Sequence, residues 1–441
     1  MPTLTELTIA RLGAHGDGVA PSLDGHVFLP FVLPGERVTA HVEGDRGQLV
    51  DILDASPDRI APVCRHFTQC GGCLTQHMAA PAEQAWKTDL VATALSQQRI
   101  FAADAGLADE DPAETKAKAR SAPLVAAIIS TPIGTRRRAV FAARRTKSGA
   151  VFGFHELRAH DIVDLAECPI LDPQIASRIE ALRALVGPLL SRSGEARITV
   201  TLTHNGIDVV MEDTKPELTF DDRAAITRLA SAARILRLTV KGETIFETDR
   251  PQLRFGKALV TPQPGVFLQA VPQVEQAMTD VILAAVGKAK RVADLFCGLG
   301  TFSFPLADRA EVLAVDGDKA AIAALIDAVK HTQGIKPITT KVRDLFREPL
   351  SAKELEPFDA VVFDPPRAGA DAQARMIAKS KVPVVVAVSC SPSTLARDLK
   401  ILIDGGYVLQ SVTPIDQFVF SPHIEGIAVL VRPKRSRAPG A

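Results

Sequence analysis

Two periods of apolar and polar residues divide the chain into three stretches. From the N-terminus to residue 57, short alternating runs (Leu7–Ala10, Gly16–Ala20, His26–Pro30, Arg37–Val42 and Gln48–Leu53) are separated by glycine turns. Short strands at this spacing predict a small antiparallel barrel of the oligonucleotide-binding kind. Between residues 58 and 260 the periods mix. Helices are predicted over Trp86–Gln98 and Pro173–Leu190, strands over Leu124–Ile129 and in hairpins turning at Lys147–Gly149 and His204–Gly206. The segment Ala102–Ala122, rich in Ala, Asp, Glu and Lys with no apolar period, reads as an exposed insertion. From residue 261 to 441 runs apolar on both faces alternate with helical segments, the pattern of a doubly wound α/β fold of the Rossmann type around a parallel sheet. Its strands are Arg291–Leu295, Glu311–Asp316, Phe358–Asp364 and Val384–Val388.

Composition narrows the function classes. No apolar run reaches the roughly 18 residues that span a bilayer, and the first residues lack a basic then apolar leader, so a cytoplasmic protein without membrane contact is expected. Formal net charge is zero. Any nucleic-acid contact must therefore come from local patches. Six cysteines in 441 residues argue against a disulfide framework and for metal-binding or catalytic use.

Four of those cysteines form one group in sequence. Cys64, Cys70 and Cys73 lie close together around Gly71 and Gly72, and Cys168, followed by a proline, lies far away. Zinc ribbons bring ligands as two local pairs, whereas three close thiols and one distant thiol suit a [4Fe-4S] cluster. A zinc ion or unligated core thiols are the alternatives. Downstream, Arg136, Arg137, Arg138, Arg144, Arg145 and Lys147 place six bases in twelve residues, interleaved with Phe141. Such a hairpin suits phosphate contact and base stacking on RNA, with a solvated strand face as the bland alternative. The N-terminal stretch carries nine acids against four arginines up to Arg59. That is a poor surface for an RNA clamp.

The C-terminal stretch carries the chemistry. Asp294–Gly300 is a strand end running into a glycine turn, and about twenty residues later a second strand ends in Asp316. That is how doubly wound folds hold a nucleoside, the acid taking ribose hydroxyls. The turn lacks the third glycine of the dinucleotide fingerprint, and together with Asp364-Pro-Pro it points to S-adenosylmethionine rather than NAD. Cys390 follows five apolar residues and a serine. It reads either as a small buried hydrophobe or as a nucleophile delivered to a strand end. Cys297 sits where the turn needs small residues and is expected to be packed.

Over nearly its whole length the chain resembles the bacterial RNA (uracil-5-)-methyltransferases, in the iron-sulfur branch with a TRAM barrel that acts on large-subunit ribosomal RNA. The resemblance rests on the four cysteines, the Asp161–Leu171 block, Phe267-Leu-Gln269, Asp294–Gly300, Asp364-Pro-Pro-Arg367, Ser389-Cys390 and His423-Ile-Glu425. It implies that residues 1–57 are a TRAM-like barrel, 58–260 a central iron-sulfur and RNA-binding unit, and 261–441 the methyltransferase domain. It also implies that Gln269, Phe296, Gly298, Thr301, Asp316, Asp344 and Asp364 line the S-adenosylmethionine site, that Cys390 is the nucleophile and Glu425 the base. Asp364 bridges cofactor and uracil in this reading. Thr301 replaces a common asparagine, and Val419 stands where the family has proline. The expected partner is RNA, ribosomal first and transfer RNA second, bound by a monomer. An RNA cytosine-5 methyltransferase would carry a second cysteine after its Asp-Pro-Pro-like motif, where Arg367 stands here. A non-enzymatic iron-sulfur RNA-binding protein would leave Cys390 and Glu425 unexplained.

Overall fold

The computed structural model describes residues 3–23, 25–101, 124–147, 149–214 and 218–433. The segment read as an exposed insertion, Ala102–Ala122, lies outside the described residues.

The first six strands, β1 (Thr3–Thr8), β2 (Arg11–Leu12), β3 (Gly18–Ser22), β4 (Gly25–Leu29), β5 (Arg37–Glu43) and β6 (Arg46–Asp54), form one sheet in the order β1-β5-β6-β4-β3-β2. It is antiparallel except where Phe28 meets Arg46. Alternate residues of these strands, Leu7, Val27, Leu29, Val38 and Ala40, fill a small core of their own, as the period-2 pattern requires.

Helix α1 (Ala80–Gln97) starts six residues before the predicted start, with Pro81 in its first turn. Pro81 needs no amide donor there. Its apolar stripe of Val91, Ala94 and Leu95 does not face the central unit. It enters the same core as Leu395, Leu399 and Leu402 near the C-terminus. The predicted strand Leu124–Ile129 behaves likewise. Only β7 (Ile129–Ser130) is strand, and it pairs with the far edge of the C-terminal sheet.

The central unit is a seven-stranded sheet containing the two predicted hairpins. It uses β8 (Arg138–Thr146), β9 (Gly149–His155), β10 (Ile162–Asp164), β11 (Ala196–Leu202), β12 (Ile207–Glu212), β13 (Ile235–Val240) and β14 (Glu243–Glu247) in the order β10-β9-β8-β11-β12-β13-β14. Two helices, α2 (Pro173–Ala176) and α3 (Ile179–Val186), replace the single helix expected to Leu190. The second ends where Pro188 follows Gly187 and a short 3-10 turn takes over. Helix α4 (Phe220–Ala232) carries the chain between the parallel strands β12 and β13.

After a short hairpin, β15 (Leu253–Phe255) and β16 (Ala258–Val260), the doubly wound region begins with α5 (Pro272–Val286). Strands β17 (Arg291–Leu295), β18 (Glu311–Asp316), β19 (Ile338–Val342), β20 (Ala360–Phe363), β21 (Val384–Ser389), β22 (Val408–Asp416) and β23 (Glu425–Val431) join β7 in the order β19-β18-β17-β20-β21-β23-β22-β7. The first five are parallel, and β23 runs against β21 and β22. Helices α6 (Ser303–Ala307), α7 (Lys319–His331), α8 (Ala352–Leu355), α9 (Asp371–Lys379) and α10 (Pro392–Asp404) connect them. The chain leaves neighbouring β17 and β20 in opposite directions, which opens a crevice beyond their carboxyl ends. Every residue of β20 is buried, and all of β21 after half-buried Val384 is too, which is why both read as continuous apolar runs.

Candidate active site

Strand register brings the candidate nucleophile and base together. The pairing of Ser389 with Gly426 sets Cys390 opposite Glu425 at the carboxyl edge of the sheet. Gly426 is required beside them, because a Cβ there would lie 2.7 Å from Leu395 of α10. The Ser389 hydroxyl donates to the Ser391 carbonyl and accepts the Ser391 amide, both at 3.2 Å, which crimps the backbone around Cys390 before Pro392 opens α10. Cys390 is half-buried. Burial first, then the carboxylates of Glu425 and Asp364, push its thiol up to about 11, against an opposing pull from Arg367. Both influences disfavour the thiolate form of Cys390.

Two carboxyls face this thiol. Burial pushes Asp364, one residue past β20, up to about 7. Glu425 is buried, and burial with the neighbouring Asp364 pushes it up to about 8. A chain of two carboxamides links them. Gln417 donates to the Glu425 carboxylate at 2.7 Å and to the Gln269 side-chain oxygen at 2.9 Å. Gln269 donates in turn to Asp364 at 3.2 Å.

The expected nucleoside site assembles one crevice away. Phe296, immediately after β17, has φ 61°, a left-handed conformation that a bulky residue adopts only when its surroundings force it. Its ring lies 5.3 Å from that of Phe346, which is exposed and was not singled out from sequence. Asp316 accepts from the Gly298 and Asp318 amides, each at 2.8 Å, and Asp344 accepts from the Phe346 amide at 3.0 Å. Asp294, which opens the glycine-turn motif, lies fully buried with one carboxyl oxygen taken by Ser303 at 2.5 Å and the other without a partner. Thr301 opens instead onto a separate cavity of about 380 Å3 with Arg137, His204 and Arg254. Cys297 is buried in the core and its thiol is pushed well above its ordinary range by that burial.

Cys390, Arg367, Ser393 and His423 border a cleft of about 990 Å3. Helix α1 supplies Trp86, Asp89 and Thr93 to its wall, and the N-terminal unit supplies Arg11 of β2 and His15 of the turn after it. Three parts of the chain thus surround one thiol.

The basic run divides. Arg137 is 9% exposed, donates to the Glu275 carboxylate at 2.5 Å and to the Gln269 carbonyl at 3.0 Å, and gives its amide to Ala270. It anchors the segment bearing Gln269, and as a contact for RNA phosphate it is excluded by its burial. Arg136 and Arg138 are half-buried and line a cavity of about 430 Å3. Arg136 stacks on Phe418 at 5.7 Å. Arg144 reaches Glu195 at 3.3 Å and the His160 carbonyl at 3.2 Å. Arg145 and Lys147 are exposed. The reason is strand pairing: β11 covers β8 only from Arg138 to Ala143, and the residues from Arg144 onward run past it along β9 toward water.

The cavity that receives Arg136 and Arg138 is lined by Cys64, Cys70, Cys73 and Cys168, which lie 95 to 104 residues apart across the two segments yet border one space. All four thiols are raised, chiefly by burial, with Glu167 adding to it at Cys64 and neighbouring cysteines at the other three, Cys73 to about 12 and Cys168 to about 11. Among the described residues no three His, Cys, Asp or Glu side chains are grouped tightly enough for a single metal ion. Tetrahedral thiolates at 2.3 Å from one zinc would sit about 3.8 Å apart. The same cavity is bordered by Phe418, Val419, Ser421, Pro422 and His423, in the segment leading to Glu425.

That segment is held from behind. Lys87 of α1 is fully buried and donates to Asp416 at 2.7 Å and the Phe418 carbonyl at 3.0 Å, with Glu83 3.3 Å away. Glu83 accepts the Phe420 amide at 2.8 Å, and the Leu74 amide donates to the Phe420 carbonyl at 2.7 Å.

The profile of the tRNA (uracil-5-)-methyltransferase family matches residues 189–433. The chain belongs to that family. It is an S-adenosylmethionine-dependent RNA (uracil-5-)-methyltransferase. An uncharacterized RNA methyltransferase of Brucella suis is 46% identical over 97% of this chain and 98% of its own. The 23S rRNA (uracil(1939)-C(5))-methyltransferase of Halomonas elongata is 31% identical over 98% of this chain and 90% of its own. The crystal structure of Pyrococcus abyssi tRNA (uracil-54, C5)-methyltransferase with S-adenosyl-L-homocysteine superposes with a TM-score of 0.71 at 21% identity, over 97% of this chain and 100% of that one. The expected methyltransferase fold is therefore present. Among the described residues no helix is long and apolar enough to cross a membrane.

Proposed function

We propose that the protein methylates C5 of a uridine in 23S ribosomal RNA through a covalent Cys390 adduct. The observation that carries this reading is Cys390, which borders a cleft of about 990 Å3, set opposite Glu425 with the Asp364 carboxyl near both. Uracil C5 is a weak nucleophile, and a base within folded RNA is unreachable until it leaves the stack. The Cys390 thiolate adds to C6, and the electron pair displaced to C5 takes the methyl group. S-adenosylmethionine supplies that methyl in electrophilic form. Glu425 then removes the C5 proton, the C5–C6 double bond re-forms and the thiolate leaves. Gln269, Phe296, Gly298, Asp316, Asp344 and Asp364 hold the methyl donor, with Thr301 at the far end of the turn. The 31% identity to a 23S ribosomal RNA enzyme supports the choice of substrate.

The N-terminal sheet acts as a TRAM-like barrel, bringing Arg11 and His15 to the cleft despite its acidic surface. Arg145 and Lys147 are the part of the basic hairpin offered to phosphate. One chain supplies the whole cleft, which suits a monomer. The test is to map 5-methyluridine in RNA from cells lacking the protein: one 23S site is expected to lose its methyl and regain it on complementation, whereas loss confined to transfer RNA overturns the substrate assignment. In binding assays, Arg145→Ala with Lys147→Ala should flatten the salt dependence by roughly 0.7–0.9 log units per lost contact.

Cys64, Cys70, Cys73 and Cys168 fit a [4Fe-4S] cluster. The four thiols border one cavity, Arg136 and Arg138 supply positive charge beside them, and the Arg138 Nε is buried without a partner. Bound there, a cluster would supply thiolate crosslinks between two distant segments. Cys168→Ser is expected to bleach the brown visible absorbance of anaerobically purified protein. Wild-type protein that is colourless and binds one zinc per chain would show the assignment to be wrong.

A further inference from the structure

The β22–β23 connection holds a polar residue that the proposed reaction leaves without a task. Gln417 is 3% exposed, and its amide can satisfy its surroundings in one orientation only. The Ala270 amide donates to its side-chain oxygen at 3.1 Å, which turns its NH2 group toward Glu425 and Gln269. Because Gln269 then accepts through its oxygen, its own NH2 group faces Asp364. The chain of donors is thus directional. Each of its ends meets a carboxylate as a donor.

We propose that Gln417 is the positioning residue for the base: its amide aims the Glu425 carboxylate and holds it ready to accept the C5 proton during release of the methylated uridine. This rests on the function proposed above. When C5–H breaks, its electron pair forms the C5–C6 double bond, the C6–S bond breaks, and the proton ends on Glu425. Only ionised Glu425 can do this. The titratable groups that face it are Asp364 from the end of β20 and Cys390 from the end of β21, and both oppose its negative charge, as burial does. The Gln417 N–H favours that charge. The clamp of Lys87, Glu83 and Asp416 fixes the backbone on either side, so the amide does not swing away.

Gln417→Met keeps length and volume but removes the donor. A hydrogen bond to a charged group changes an equilibrium by about tenfold or more. The variant should bind unmodified ribosomal RNA, add to uracil and transfer the methyl, then release product about tenfold more slowly at pH 7. Methylated RNA should accumulate on the protein in denaturing gels at pH 7 and drain as the pH rises toward 9, because alkali restores the ionised base. Gln417→Glu, which keeps the acceptor for the Ala270 amide, tests the same step should the Met variant not fold. Turnover with the wild-type pH profile in either folded variant, or a loss equal at every pH, overturns the proposal. A Glu425→Gln enzyme that fails to accumulate adduct on the same RNA would instead sink the reaction itself.

Discussion

Glu425→Gln is expected to trap RNA on the protein. Thiolate addition and methyl transfer precede the need for a base, so both proceed, and turnover falls by roughly 10²–10⁴-fold because nothing withdraws the C5 proton. The trapped species carries the methyl group, so label from S-adenosylmethionine should migrate with protein on denaturing electrophoresis. Cys390→Ala should form no adduct and no product while still binding the methyl donor, whose site is built on other strand ends. The pH dependence has a definite sign. Burial raises both Cys390 and Glu425, and both act in their ionised forms, so the wild-type rate should climb with pH between about 6 and 8. An Ala variant that still forms adduct, or a Gln variant with normal turnover, would require a different nucleophile or base.

Lys87→Met should be among the most damaging single changes away from the chemistry. It leaves Asp416 and Glu83 buried without their shared cation, and breaking a buried pair in this way costs about 3–5 kcal/mol. Burial already raises Glu83 and Lys87 counteracts it, so without the lysine the Glu83 carboxyl rises further. A carboxyl whose folded pKa is raised costs nothing below its unfolded value and progressively more above it. The deficit should therefore be small near pH 4 and full at neutral pH. Denaturant midpoints across that range measure it, and a neutral-pH midpoint equal to wild type would show the clamp to be energetically idle.

How much of this was legible in the sequence depends on how local each cause is. Strand β21 announced itself because a strand buried on both faces must be apolar throughout, and its last residues carry Cys390 to the sheet edge. The opposition of Cys390 and Glu425 depended on a register between strands, and the family resemblance supplied what spacing alone did not. The basic run misled because six positive charges say nothing about which side of a strand meets water. Arg137 finds its carboxylate 138 residues away, and that distance hides a buried pair from any local pattern. Gln417 was visible only as one polar letter between Asp416 and Phe418, and its meaning needs Ala270, Gln269 and Glu425 in place together. The break between α2 and α3 followed from capping geometry that an apolar period does not register.

Helix α1 has a consequence for how the protein is made. Lys87 and its partner Asp416 are 329 residues apart, and Val91, Ala94 and Leu95 wait for the same late-arriving helix and strands. At roughly 5–20 residues per second of synthesis, the helix spends between about 15 and 65 seconds outside the ribosome before its docking surface exists. During that interval an apolar stripe and an unpaired lysine are exposed together. The N-terminal sheet can close on its own core meanwhile, but α1 and β7 belong to a unit completed last. A fragment cut at residue 261 would leave the catalytic sheet without its covering helix and its edge strand, so a transplantable version must carry α1 and β7 along with the C-terminal half. Nascent chains should accordingly lean on chaperones that shield exposed apolar helices until translation ends.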